Sequence, residues 1–527
     1  MQKSLLFFCI LLVLFSCKSV KTYNEQISAN HSVRGLKKDV DIAYGKLQKL
    51  HPRLYQYISK DKLDFKFDSL KKTITQPLSS KQFYEKIAPV IAEVKQGHIT
   101  VSPPHNQFNN KEKKELLKKK FEFYQLDFEF LEDDLWIVNT NGIDSTLVGS
   151  KVIKIENDSV VKLINNYKKL FSSDGYNTTF KNRFIGLRFS GFYYKDKGFK
   201  DSITLTLSKS DSIFSRVFRR IPKDSTLAST TVDSLKKVKL SNDQKRVLKI
   251  KEKQKRKDNY KYGYEKSRDR YTRNLNFLGK DSTIAFIKIR SFGNGNYKVF
   301  YDESFAKIDS AKSKYLILDL RDNSGGRLAE VDKLYSYLID EKYQFINKGE
   351  TKTRQPFLKS MLSKGSPTGL KVAAVVMSPF IGVYNLFKSE KKEGKHYYSF
   401  PSVKVKKPSL NNFKGDIYVL INGNSYSASS ILSTNLHATK RAVFVGEETG
   451  GAYNGTVAGL FKNVELPTSK VDMVFGLVQI EAPYKTEPDG YGIKPDVEII
   501  PTIEDRLNNR DPELEWVLED IKSKENN

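Results

Sequence analysis

Two short segments combine a sharp turn with polar groups that chemistry can use. The first, Asp319-Leu320-Arg321-Asp322-Asn323-Ser324-Gly325-Gly326, closes an apolar run beginning at Lys314. Paired glycines let the backbone approach a ligand closely, and free N–H groups there can stabilise an oxyanion. The second, Asn424-Ser425-Tyr426-Ser427-Ala428-Ser429-Ser430, lies between a strand pattern at 416–421 and a helical pattern at 428–439. A hydroxyl at a strand-to-helix junction stands at the sheet edge, where the helix N-terminus favours developing negative charge, as a nucleophile needs. Serine at a helix start is most often an N-cap. Four serines in this turn exceed what capping needs.

The elements around these turns read as strand, helix, strand, twice over: 282–289, 301–311 and 314–320, then 416–421, 428–439 and 441–445. That is the pattern of parallel crossovers in an α/β fold. Upstream, helical spacing over 33–94 predicts a small helical domain, 31–105. It ends in Gln96-Gly97-His98, so His98 falls at a helix-to-strand turn before Ile99-Thr100-Val101. Residues 121–222 alternate in short β-type runs. Between the two α/β rounds, in an insert at 343–413, the apolar stretch 372–387 is broken by Pro379. It is too short for a span and is expected to be a buried insert or a lid.

Four segments together resemble the tail-specific and tricorn-core serine peptidases, the C-terminal processing peptidase family. They are Asp319–Gly326, Ser427-Ala428-Ser429, Gly446-Glu447-Glu448-Thr449-Gly450-Gly451 and Tyr491-Gly492-Ile493-Lys494-Pro495-Asp496. The resemblance implies a crotonase/ClpP-like β-α superhelix over 275–505, with Ser427 as nucleophile and the N–H groups of Ala428 and Gly325 as oxyanion hole. Where the Ser–Lys branch of the family has its lysine, this chain has Ala452, which cannot take a proton. The tricorn-like branch takes its base from a His in a turn like Gly97-His98, so His98 is the implied base and Asp489, before Tyr491-Gly492, the implied orienter. Glu487 is the alternative orienter and His437 the next base. Residues 142–158 are similar to part of a PDZ domain, which binds peptides by strand addition. A rival reading keeps the fold and this PDZ-like module as an inactive peptide-binding lipoprotein.

Composition narrows the setting. The 527 residues carry 90 Lys+Arg against 61 Asp+Glu, a net charge of +29, with 28 Tyr and 33 Phe, enough apolar area for several folded units. Residues 1–16 read as an export signal, and Leu14-Phe15-Ser16-Cys17 resembles a lipobox. Lipidation of Cys17, with a tether over 17–30, would fix the chain to a membrane in a bacterial envelope. The second cysteine, Cys9, leaves with the signal. A cysteine-free body excludes disulfides, thiolate metal sites and a Cys nucleophile. The basic stretch 223–274 has no aliphatic side chain after Ile250 and no nucleic-acid signature; it reads as a solvated insertion, and 506–527 as a terminal helix. No metal or nucleotide motif is present. The expected enzyme is a cofactor-free serine peptidase acting on peptides, with no nucleic-acid partner.

Overall fold

The computed structural model describes residues 19–223, 241–266, 268–279 and 281–526. The leader, Cys17 and residues 224–240 of the basic stretch lie outside the described residues.

Strands Ile284–Ile289, Tyr315–Asp319, Asp416–Ile421, Val443–Gly446 and Val497–Glu498 run parallel in that order, with Arg273–Leu278 antiparallel on the outer edge of the first. Central strands read as unbroken apolar runs because both faces are covered. Along Tyr315–Asp319, Leu316 and Leu318 join the main core with Phe300, Leu334 and Ile431. Tyr315 and Ile317 face the helix Pro512–Asn526 through Val517 and Ile521. Asp319 pairs with Leu420 across adjacent parallel strands, so both functional turns leave the same sheet end side by side, the usual place for a site in such sheets.

A second sheet brings in the distant base. Thr100–Ser102 pairs antiparallel with Asp472–Ile480, which pairs with Thr456–Glu465. The helices Val33–Leu50, Lys60–Thr73 and Ser80–Ala92 precede it, N-capped by Ser32, Ser59 and Ser79. Their apolar faces (Leu36, Val40, Phe83, Ile87) do not close on a core of their own, as an independent domain over 31–105 would. They share one continuous core with the catalytic sheet and Met473, Phe475 and Leu477. Residues expected to form a tether include the helix Val20–Ser28, with Ile27 buried and Asn24 bonded to Gln107.

Residues 119–222 form an antiparallel sheet with the helices Val160–Tyr167 and Thr179–Lys197. Their aromatic core is separate, and it takes in Tyr426 from the nucleophile turn. Arg183 of the second helix donates from Nε to Glu447 at 2.8 Å, with both side chains 8% exposed. This buried pair ties the unit to the catalytic sheet. Removing one partner strands the other charge, so Arg183→Met is expected to cost about 3–5 kcal/mol, and Arg183→Met with Glu447→Leu to recover much of it. Denaturant melts of the single and double variants measure both.

Two expectations change. The basic stretch includes an ordered, exposed helix, Asn242–Tyr262, capped by Ser241, because its charges are spread around a strong helix-forming sequence. It leads into the core strand Arg273–Leu278, whose Arg273 is fully buried on Glu330 at 2.8 Å. Of the apolar stretch 372–387 only Ala374 and Asn385 are buried. It forms two short helices, Thr368–Val376 and Ser378–Lys388, with large apolar side chains outward.

Candidate active site

Ser427 adopts φ 58° and ψ −118° at the head of the buried helix Ala428–Ala438, and its side chain makes no cap bond. A non-glycine residue in the left-handed region is strained, and such strain clusters where a side chain must be held out for use. Here it aims Ser427 Oγ at His98 Nε2, 3.1 Å away. The neighbouring serines explain why the turn is so rich in hydroxyls. Ser425 Oγ donates to Leu320 O, Ser429 Oγ to Asn323 O and Ser430 Oγ to Ser425 O. Ser425 and Ser429 fasten the two turns together, Ser430 braces the second turn on itself, and Ser427 is left for His98.

Gly97 and Gly325 are required by close approach. A Cβ on Gly97 would lie 2.3 Å from the Tyr426 hydroxyl, and one on Gly325 (φ +96°) 2.7 Å from Ser427 Cβ. The Gly325 N–H is taken by Asn323 Oδ1 at 2.9 Å, which corrects its assignment as an oxyanion donor. Gly326 and Ala428 both line the cavity beside Ser427, and neither N–H has a hydrogen-bond partner among the described residues. They form the available oxyanion pair, with Ala428 as expected and Gly326 in place of Gly325.

His98 follows the helix Ser80–Ala92 and shortly precedes the strand Thr100–Ser102. Its ring stacks on Tyr426 with centroids 4.8 Å apart. Burial alone pushes its pKa down to about 4, so the imidazole is neutral at physiological pH. If Nε2 accepts from Ser427, Nδ1 carries the proton. Nδ1 lies 2.9 Å from Thr456 Oγ1 and 2.8 Å from the Tyr426 hydroxyl.

Asp489 does not orient this ring. Its carboxylate accepts from Gln56 Nε2 (2.9 Å), Asn454 Nδ2 (3.0 Å) and the Gly490 N–H (2.7 Å), fastening the tail to the N-terminal helices. Glu487, the alternative, accepts from the Asp489 N–H at an exposed position. The carboxylate behind the imidazole is Asp174, fully buried, whose Oδ1 accepts from Thr456 Oγ1 at 3.1 Å and from the Gly97 N–H at 2.8 Å. Burial raises its carboxyl to about 6, against the hydrogen bonds that favour the ion. Asp174 belongs to the loop before the helix Thr179–Lys197, which no motif marked. Its only sequence signal was a Ser-Ser-Asp-Gly turn at 172–175. Thr456 was equally unmarked. His437 lies 3.5 Å from the Tyr453 hydroxyl, away from Ser427. Among the described residues no group of His, Cys, Asp and Glu could hold a metal ion.

The cavity beside Ser427 holds about 220 Å³ and is walled by Leu328, Phe400, Ile431, Ala458, Phe461 and Ile480. Asp319 and Arg321 support the site from behind. Arg321 bonds Asp319 and reaches Asp511 at the foot of the terminal helix. Lys288 and Arg321 hold the Asp319 carboxyl well below its ordinary value despite burial.

A strained serine facing a neutral, half-buried histidine, with a free N–H pair and a largely apolar cavity beside it, defines a serine hydrolase site. Residues 283–499 match the model of peptidase family S41. That match takes in the catalytic sheet and Ser427, and the protein is a serine peptidase. Among solved structures, mature CPAF superposes with a TM-score of 0.55 at 15% identity, covering 90% of this chain and 94% of that one. Mature CPAF complexed with lactacystin gives 0.54 at 14% identity, over 90% and 95%. At such identities these likenesses speak to the fold. No curated protein sequence matches the chain.

Proposed function

We propose that the enzyme is an exported processing peptidase that cuts after apolar side chains through an acyl-enzyme on Ser427. The observation that carries it is the hydrogen-bonded line Ser427 Oγ, His98 Nε2, His98 Nδ1, Thr456 Oγ1 and Asp174 Oδ1. His98 takes the Ser427 proton as Oγ attacks the scissile carbonyl, then returns it to the leaving amine. The carbonyl oxygen gains charge facing the Gly326 and Ala428 N–H groups and the start of the helix Ala428–Ala438. Water, activated by the same imidazole, then releases the acyl group. Export and anchoring through Cys17 are supported by the apolar leader ending in Leu-Phe-Ser-Cys.

The apolar walls select the residue before the cut. Arg327 also lines that cavity and no carboxylate does, so a cationic side chain would enter it without a partner, and peptides with Lys or Arg there are expected to be cut at least about 100-fold more slowly than those with Leu, Val or Ala. Digestion of a mixed peptide library, read by mass spectrometry, measures this preference. The mechanism is tested on the same protein by a fluorophosphonate, which should modify Ser427 and stop cleavage in proportion. Full cleavage by protein phosphonylated at Ser427 would sink the reading.

A further inference from the structure

The helices Thr368–Val376 and Ser378–Lys388 form a bent apolar pair, 76° apart, whose outer face touches nothing. One side is fixed: Ala374 and Asn385 are buried, and Phe357 packs edge-on against Tyr384 with ring centroids 6.1 Å apart. On the other side Val375, Val376, Val383 and Leu386 are exposed, with Phe380 at 68% and Phe387 at 85% exposure. Soluble surfaces rarely expose so contiguous an apolar patch without a partner.

We propose that this pair seats in the headgroup–acyl boundary of an anionic phospholipid bilayer. Its charge pattern names the partner. Residues 356–388 contain no Asp or Glu and the lysines Lys359, Lys371 and Lys388, besides Lys364, which is held by Glu465 and Asp472 of the body. The adjoining strands add the exposed Lys391, Lys392 and Lys395. Their two acids are engaged: Glu390 is paired with Lys348, and Glu393 lies beside Lys392. An apolar face with bulky aromatics, rimmed by lysines and lacking acids, is the composition of an interfacial helix. No single described helix is long and apolar enough to cross a membrane, and the sharp bend suits a pair that lies in the surface.

The pair's root is tied to the catalytic cleft, which gives the seating a consequence. Lys462 Nζ donates to the Lys359 and Leu362 carbonyls at 3.1 and 2.7 Å, and Ser363 Oγ donates to Phe461 O at 3.3 Å. Phe461 walls the cavity beside Ser427, and its ring centroid lies 5.9 Å from that of His98. Seating the helices holds the cleft at the lipid surface, and the substrates favoured are peptide segments emerging from that surface.

The test uses the full chain carrying Cys17→Ser, so that no acyl chain supports binding, and vesicles of phosphatidylcholine and phosphatidylglycerol in equal parts. A Phe387→Trp substitution, at an exposed position that leaves the fold intact, places a fluorophore on the outer face. Its added emission should move to shorter wavelength on these vesicles and be quenched most by lipids spin-labelled near the headgroup. Phe380→Glu with Phe387→Glu should reduce the fraction of protein floating with the vesicles at least about tenfold, with an unchanged thermal melt. The proposal is overturned if the added emission does not move. Equal seating on pure phosphatidylcholine also overturns it. So does emission already at short wavelength without lipid in a protein that sediments as a dimer, because a second copy then covers the face.

Discussion

Replacing Ser427 by Ala is expected to lower kcat/KM for a cleavable peptide by on the order of 10⁴–10⁶-fold while leaving the thermal melt unchanged. The size follows from what remains. Without the hydroxyl, the Gly326 and Ala428 N–H groups and the apolar cavity still bind peptide, so KM changes little and the loss falls on kcat. Stability is spared because Ser427 Oγ caps no helix and has His98 as its partner. The neighbours behave in the opposite way. Ser429→Ala removes one of the two donors to the buried Asn323 carbonyl, which keeps the Tyr426 N–H, and is expected to cost about 0.5–1.5 kcal/mol of stability with the nucleophile intact. Steady-state kinetics beside thermal melts separate the one catalytic serine of the turn from its structural neighbours.

What made Ser427 legible is that its turn is local. Strand, tight turn, serines and helix occur within about one element's length of sequence, and the physics that strains Ser427 acts between adjacent residues. His98 was legible for a related reason, since a glycine before it and a strand pattern after it mark the turn. The orienting carboxylate was not. Asp489 stood beside a recognisable segment, whereas Asp174 is 282 residues from the Thr456 hydroxyl it accepts from. That pairing arises only when the 119–222 unit packs onto the catalytic sheet, through Phe180 stacked on Tyr426 at 4.6 Å and Arg183 on Glu447. Gly325 gave way to Gly326 as the candidate partner of Ala428 because a motif cannot show which N–H its own Asn323 side chain occupies. The pair of helices at 368–388 was not legible as exposed, because an apolar run does not show which way its side chains face.

Asp174→Asn is expected to lower kcat by on the order of 10²–10⁴-fold, whereas Asp489→Asn should keep kcat within about tenfold and lose stability instead. The protonation of His98 depends on which way the Thr456 hydroxyl points. With Asp174 ionised, Thr456 Oγ1–H donates to the carboxylate, so Oγ1 must accept from His98 Nδ1–H. That leaves Nε2 unprotonated and able to take the Ser427 proton. With Asp174 protonated, the acid can donate to Thr456 and turn its hydroxyl toward Nδ1, which puts the imidazole proton on Nε2, where it blocks the base. In Asp174→Asn a side-chain nitrogen in the place of Oδ1 would donate in the same direction at every pH, at the expense of the acceptor for the Gly97 N–H. Because His98 stays neutral down to about 4 while Asp174 ionises near 6, the acid limb of kcat/KM belongs to the carboxyl and should lie near pH 6. Activity rises through that limb as pH rises, and the limb disappears in Asp174→Asn. Stability is a poor substitute for this measurement, because the two shifts oppose each other. Between about pH 4 and 6 the folded Asp174 holds a proton that the unfolded chain has released, so its contribution falls as pH rises. Over the same window the unfolded chain holds a proton on His98 that the folded form lacks, so that contribution rises. A limb that stays near pH 6 in Asp174→Asn would return the orienting role to another group.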